Sequence, residues 1–257
     1  MTDLELYEEM ARLARRGEPF AVVTVIAHGG SSPRKAGTKM LVRGDGTTLG
    51  TVGGGRVEQE ALEAARSALA DGEVRTLEFV LTEEHGYACG GRMTVFVEPQ
   101  GRRPLLVMFG AGHVGRAVTA LAHGCGFRVI VVDERPEWAR ADLLPGVDEV
   151  LCLPVAEAFG QLYFDEESFV VIATPGHMHD FAAVRGCLAT PAGFIGLLGS
   201  RRKKETLLAT LEEEGFDAAQ RERVVTPVGL DIGAQTPEEI AVSIVGQLIA
   251  RCKGLTA

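Results

Sequence analysis

"LLVMFGAGHVGRAVTALAHGCGFRVIVVDERPE", residues 105–137, decides the reading of the fold. Five apolar residues, Leu105 to Phe109, run into Gly110-Ala111-Gly112-His113-Val114-Gly115. An amphipathic helical stretch follows, then a second apolar strand that ends at Asp133. The spacing is G-x-G-x-x-G between a strand and a helix, with an acid about twenty residues on. Each glycine has its own reason. The first permits the tight turn, the second lets a pyrophosphate approach the backbone, and the third lets helix pack on strand. The helix start offers free N–H groups to an anion, and Asp133 can accept hydrogen bonds from ribose hydroxyls. Gly110, Gly112, His113, Gly115 and Asp133 are therefore candidate nucleotide contacts, with NAD(P) the cofactor class that the motif alone suggests. Asp133 favours an unphosphorylated ribose, while Arg135 leaves a 2′-phosphate open. The alternative is a Rossmann scaffold that holds no nucleotide.

Further strand-like runs at "SFVVIAT" (168–174) and "GFIGLLG" (193–199), separated by helix-compatible stretches, imply a doubly wound parallel sheet. The final stretch, 236–254, begins with a capping box, Thr236 to Glu239, and Pro237 at the first helical position. Its apolar residues suit a domain core or a homodimer contact. Upstream the grammar differs. Residues 2–15 read as a capped helix stopped by Gly17, and "PFAVVTVIAH" as a buried strand. "TKMLVR", Gly44-Asp45-Gly46 and "TTLGTV" read as a hairpin. A helix over 56–71 and strands near 74–81 and 92–99 complete an α+β unit. "PQGRRP", residues 99–104, reads as the linker. The expected fold is α/β: an amino-terminal α+β domain, 1–99, then a Rossmann-like domain, 104–257, with a C-terminal helix.

Composition narrows the partners. A net charge of −9 argues against non-specific nucleic-acid binding. No apolar run reaches membrane-spanning length, and the acidic start lacks signal-peptide character. Five scattered cysteines without a C-x-x-C pair point to a reducing cytoplasm.

Residues 28–62 hold the other chemical signal. One turn carries Arg34, Lys35 and Lys39; the other is Gly53-Gly54-Gly55, running into a helix. Successive glycine N–H groups can form an anion nest, and Arg34 suits a bidentate phosphate contact. The same residues also read as a tight hairpin beside a solvated basic turn. Cys89 is flanked by glycines and by Arg92, which leaves a thiol open and favours its thiolate. Cys125, Cys152, Cys187 and Cys252 lie in apolar or helical settings and read as buried packing residues. "TPGHMHD", 174–180, sets His177, His179 and Asp180 after a strand. Asp180 reads as a helix cap rather than a metal ligand, at the sheet end where ligands bind. His85 and His123 read as surface residues without partners.

Together "GSSPRKAGTKMLV", "GTVGGGRVEQEA", "CGGRMTVFVEP", residues 105–137, "IGLLGSRRKKETLL" and "PVGLDIGAQTPEEIAVSI" resemble the XdhC/CoxI family over nearly the whole chain, in order. Members of that family assist maturation of molybdenum hydroxylases such as xanthine dehydrogenase and carbon monoxide dehydrogenase. The resemblance implies a chaperone rather than a turnover enzyme. It implies binding of the molybdenum cofactor, as molybdopterin or a dinucleotide form, cooperation with a cysteine desulfurase, and delivery to the apo-hydroxylase. It turns Arg34, Lys39, Gly53, Gly54, Gly55 and Cys89 into candidate cofactor contacts, with Cys89 as the ligand to molybdenum. Glu58 could contact a pterin N–H edge or simply favour its helix start. Pro175 departs from the family pattern, which often has arginine there. The rival readings are an NAD(P)-dependent oxidoreductase with His177 as proton donor, and a nucleotide-binding redox sensor.

Overall fold

Helix α1, Asp3–Arg16, starts on a complete capping box: Thr2 Oγ1 accepts from the Glu5 N–H, and the Glu5 carboxylate accepts from the Thr2 N–H at 2.7 Å. Gly17 ends it in the left-handed region, at φ 67°. This computed structural model describes residues 2–81 and 90–255. Met1–Arg103 and Pro104–Ala257 form two compact units.

In the first unit, strands β1 (Phe20–Gly29), β2 (Lys39–Arg43), β3 (Thr48–Gly50), β4 (Arg75–Leu81) and β5 (Gly91–Gln100) form an antiparallel sheet in the order β3-β2-β1-β5-β4. The period-2 alternation sorts their side chains onto two faces. Ala21, Val23, Val25, Met40 and Val42 face helix α2 (Gly55–Asp71), which packs Val57, Ala61, Ala65 and Ala68 against them. Phe20, Val22 and Leu41 face the other way and meet Leu6 and Leu13 of α1. Pro99 and Gln100 belong to β5 and pair with Ala21 and Phe20, so strand claims part of the expected linker. The pairing of β4 with β5 ends at Val97, and beyond it a proline is tolerated on the unflanked side.

A second contact fixes α1. The Glu9 carboxylate accepts from Arg12 at 2.7 Å and from Arg43 of β2 at 2.8 Å. These partners, Arg12 first, pull its pKa from 4.5 to about 2. A depressed carboxyl stabilises the fold above its unfolded pKa and loses that contribution as pH falls through the folded value. Docking of α1 should therefore weaken between about pH 4.5 and 2. Glu9→Gln should remove that dependence at a cost of about 1 kcal/mol or less, because the pair is partly solvated. Hydrogen exchange of the α1 amides against pH checks it; an unchanged acid dependence in the variant would exclude Glu9 as its source.

The second unit is a six-stranded parallel sheet in the order β11-β10-β9-β6-β7-β8, built from β6 (Leu105–Phe109), β7 (Arg128–Val132), β8 (Glu149–Leu151), β9 (Phe169–Ile172), β10 (Phe194–Leu197) and β11 (Val224–Val225). Read from β8, this is the doubly wound order 3-2-1-4-5-6. Helices α3 (His113–Gly124) and α8 (Pro237–Cys252) cover one face, with Val118, Ala122, Ile244 and Leu248 in its core. Helices α5 (His177–Leu188) and α6 (Arg201–Glu213), with the short α4 (Val155–Ala158), cover the other. Helix α7 (Ala218–Glu222) leads into β11. The C-terminal helix thus serves the core of its own unit, while Val242 and Ile249 stay exposed. Among the described residues no helix is long and apolar enough to cross a membrane.

The cysteine expectation is mostly corrected. Cys187 is buried, and burial pushes its thiol up to about 12. Cys125, Cys152 and Cys252 are exposed. Each stands where an element ends: after α3, after the edge strand β8, and at the last position of α8. Apolar neighbours in sequence do not bury a residue once the chain turns outward.

Candidate functional site

Three of the quoted stretches meet at one end of the first unit's sheet, where β1 ends, β5 begins and α2 starts. Glycines make the approach possible. A Cβ on Gly91 would lie 2.3 Å from the Ser31 carbonyl oxygen and 2.6 Å from that of Gly29. A Cβ on Gly53 would lie 2.9 Å from Pro33 Cγ. So the basic turn packs directly on both the glycine run and the start of β5. A bulge at Val25–Ala27 bends β1 just before the turn. His28, which the sequence did not single out, braces it: its Nδ1 accepts from the Ala36 N–H at 3.1 Å.

Arg34 and Lys35 project from this turn, exposed and with no ion pair among the described residues. Lys39 is half-buried and donates to the Gly37 carbonyl at 3.3 Å. The glycine run differs from the expected nest. The Gly53 N–H donates to Thr51 Oγ1 at 3.2 Å, and the Gly54 N–H donates to the Glu58 carboxylate at 3.1 Å. Thr51 Oγ1 also donates to Glu58. Glu58 is thus an internal anion that already takes one of the glycine N–H groups. It has what an N-terminal acid seeks, an unsatisfied amide and the positive helix end. Among the described residues, Arg34 and Lys35 carry charge on this turn that is open to a ligand. Cys89 and His85 lie outside the described residues.

In the second unit the glycines divide their labour as the motif requires. A Cβ on Gly110, at φ 109°, would sit 2.3 Å from the Ala173 carbonyl oxygen. One on Gly115 would sit 1.9 Å from the Gly110 carbonyl oxygen. Around Gly112 nothing lies within 4 Å of that position, which is the open approach a pyrophosphate needs. His113 meets Trp138 edge-on, with centroids 5.5 Å apart.

Asp133 is buried at the end of β7, with every acceptor position used. Its Oδ1 accepts from the Arg135 N–H at 3.1 Å and from Arg135 Nε at 2.9 Å. Its Oδ2 accepts from the Ala111 N–H at 2.8 Å and from Arg135 Nη2 at 2.7 Å. Burial pushes the carboxyl pKa up, but the bonds from Arg135 and Ala111 outweigh burial and hold it below the usual range. The Arg135 guanidinium also lies 5.2 Å from the Trp138 ring centre. The crevice bounded by Gly110, Asp133, Arg135, Thr174, Pro175 and His179 encloses about 20 Å³, room for little more than one water molecule. A broader hollow of about 610 Å³ opens between α3 and α8 beside His113 and Arg116.

Asp180 is not the helix cap. Gly176, at φ 101°, turns the chain into α5 and holds that position. Asp180 lies in the first helical turn and reaches back: its Oδ1 accepts from the Thr174 N–H at 3.1 Å and from Thr174 Oγ1 at 2.6 Å. Its Oδ2 pairs with Lys203 of α6, which also donates to the Leu198 carbonyl at 2.9 Å. The pair ties the ends of β9 and β10 together. Sequence reasoning missed Lys203, although it stands in the quoted "GSRRKK" run. His179 Nδ1 lies 3.6 Å from the Glu134 carboxylate. The side chain of His177 lies outside the described ones. His123 was expected to lack a partner; it is exposed, yet its Nδ1 lies 3.8 Å from Asp148.

Comparison with known proteins agrees with this architecture. A protein of Escherichia coli K12, the uncharacterized protein YqeB, is 36% identical over 254 residues, covering 96% of this chain and 46% of its own length. A Bacillus subtilis protein, described as a probable subunit of xanthine dehydrogenase, is 32% identical over 155 residues, covering 60% of this chain and 45% of its own. The chain thus spans about half the length of these relatives. A crystal structure from Bacillus halodurans, described as a xanthine dehydrogenase, superposes with a TM-score of 0.55 at 24% identity, covering 100% of this chain and 97% of that one, a likeness of fold. Residues 13–80 match the XdhC and CoxI family, and residues 106–248, more than half the chain, match the XdhC Rossmann domain. The chain belongs to the XdhC/CoxI family.

Proposed function

We propose that this protein is an accessory factor in the maturation of a xanthine dehydrogenase-type molybdenum hydroxylase, and that its first unit carries the molybdenum cofactor as cargo. The observation that supports this most is the meeting of the basic turn, the glycine run and the start of β5 in a chain of this family. The cargo carries a phosphate, or a pyrophosphate in its dinucleotide form. Arg34 and Lys35 stand without ion pairs among the described residues of an otherwise acidic protein, which suits such an anion. Gly53 and Gly54 contribute shape more than donors, since Thr51 and Glu58 engage their N–H groups. Cys89 adjoins this cluster in sequence and supplies the thiolate that molybdenum–sulfur chemistry favours. A cysteine desulfurase and the apo-hydroxylase are the proposed partners, in the cytoplasm.

The test is mass spectrometry of pterin and molybdenum retained after anaerobic purification from cells given molybdate. Arg34→Ala should reduce retention about tenfold, the order expected for a lost charge-assisted contact. Arg43→Ala is a poor control, because Arg43 anchors α1 through Glu9. Arg15→Ala, exposed in the last turn of α1, removes the same charge without that cost. Equal losses in both variants would reduce Arg34 to charge steering, and no pterin retained by the wild-type protein would overturn the reading.

A further inference from the structure

The Asp133 carboxylate is the group that a Rossmann crevice offers to a ribose, yet here it has nothing left to offer. A carboxylate has about four acceptor positions, and Ala111 and Arg135 fill two on each oxygen. Two of those four donors are backbone N–H groups, fixed by the glycine turn and the end of β7. The other two, Nε and Nη2, belong to the Arg135 fork, one on each oxygen. Withdrawing the fork frees one position on Oδ1 and one on Oδ2. A vicinal ribose diol presents a matching pair of donors.

We propose that Arg135 is an internal competitor for the ribose site: its fork occupies the place of a 2′,3′-diol, and a nucleotide with a free diol binds by displacing it. This rests on reading the crevice as a nucleotide site, which the open space at Gly112 favours. The asymmetry of exposure supports the fork as the moving part. Arg135 is 29% exposed at its side chain and Asp133 only 3%. Trp138, 5.2 Å from the guanidinium in this same position, packs against the closed fork, so displacement gives up that contact as well. The crevice of about 20 Å³ is then the closed state, and apparent affinity is the open-state affinity multiplied by the fraction of molecules open.

The consequence runs against simple charge. Removing a cation ordinarily weakens binding of an anionic nucleotide; here it should strengthen it. Wild-type protein, Arg135→Ala and Arg135→Lys are titrated calorimetrically with 5′-AMP and with 2′-deoxy-5′-AMP, which has the same charge and no diol. Wild type should bind both weakly and within about threefold of each other. Arg135→Ala should bind 5′-AMP about tenfold more tightly, the order of one charge-assisted hydrogen bond, with 2′-deoxy-5′-AMP unchanged. Arg135→Lys keeps the charge without the fork and should gain in the same sense, which covers the case in which the alanine variant folds poorly. If both nucleotides weaken in the variants, Arg135 is a phosphate contact and the competitor role is wrong, while the nucleotide reading stands. If neither nucleotide binds any of the three proteins, the nucleotide reading itself fails, and the competitor role with it.

Discussion

Gly115→Ala is expected to unfold the second unit or leave it barely stable. The added methyl would sit 1.9 Å from the Gly110 carbonyl oxygen and 3.0 Å from its carbon. Both are backbone atoms, so no rotamer change relieves the clash. Gly110 cannot yield either. Its N–H is bonded to the Val132 carbonyl at 2.8 Å, and its own Cβ position is blocked by Ala173. Relief would require lifting α3 off β6, where Val118 and Ala122 are fully buried. Overpacking of this kind costs on the order of 3 kcal/mol, a large share of a domain's stability. The only tryptophan in the sequence, Trp138, lies in the second unit, so its fluorescence during urea unfolding reports that unit. Gly112→Ala is the matched variant. It adds the same methyl three residues earlier, at φ −66° and into open space. Its unfolding midpoint should stay near wild type. If Gly115→Ala were as stable as Gly112→Ala, close helix–strand packing would not be the reason for the third glycine.

The contrast between these two glycines shows what a sequence can carry. Gly110, Gly112 and Gly115 are legible because the motif encodes backbone geometry, and backbone geometry is local. The strands β6, β7, β9 and β10 are legible for the same reason, as apolar runs bounded by turns. Strands β8 and β11, with three and two residues, are too short to show a period. The place of Asp133 at the end of β7 is legible, but its saturation is not. That depends on how Arg135 folds back over two residues, which no spacing rule fixes. Asp180 reads as a cap in sequence, yet the positive φ of Gly176 turns the chain one turn earlier than the acid suggests. In the first unit, the meeting of 28–39, 50–58 and 90–91 joins segments far apart in sequence. The glycines announce tight places there without saying what they are tight against. Glu58 illustrates the limit: a helix-start acid and a ligand contact look alike in sequence, and only its bonds to Thr51 and Gly54 separate them.

Lys203→Met is expected to be among the most damaging single side-chain changes in the second unit. The Asp180 side chain is fully buried, and Lys203 is 13% exposed. Methionine keeps most of the lysine stem's volume and removes only the charge. Asp180 would then be a buried carboxylate with Thr174 as its remaining partner. Breaking a buried pair from one side costs about 3–5 kcal/mol, because the surviving charge is left uncompensated. The Leu198 carbonyl loses a donor as well. The pair need not be worth that much in itself, since desolvation offsets much of the attraction. The double variant Asp180→Asn, Lys203→Met separates the two. An asparagine can still accept from Thr174 and leaves no charge behind, so the double variant should recover about half of the loss or more. Trp138 fluorescence in urea again gives the measurement. A loss below about 1 kcal/mol for Lys203→Met would place the pair among solvated surface contacts. A double variant no better than the single would mean that the lysine stem and its bond to Leu198, rather than the charge on Asp180, hold the ends of β9 and β10 together.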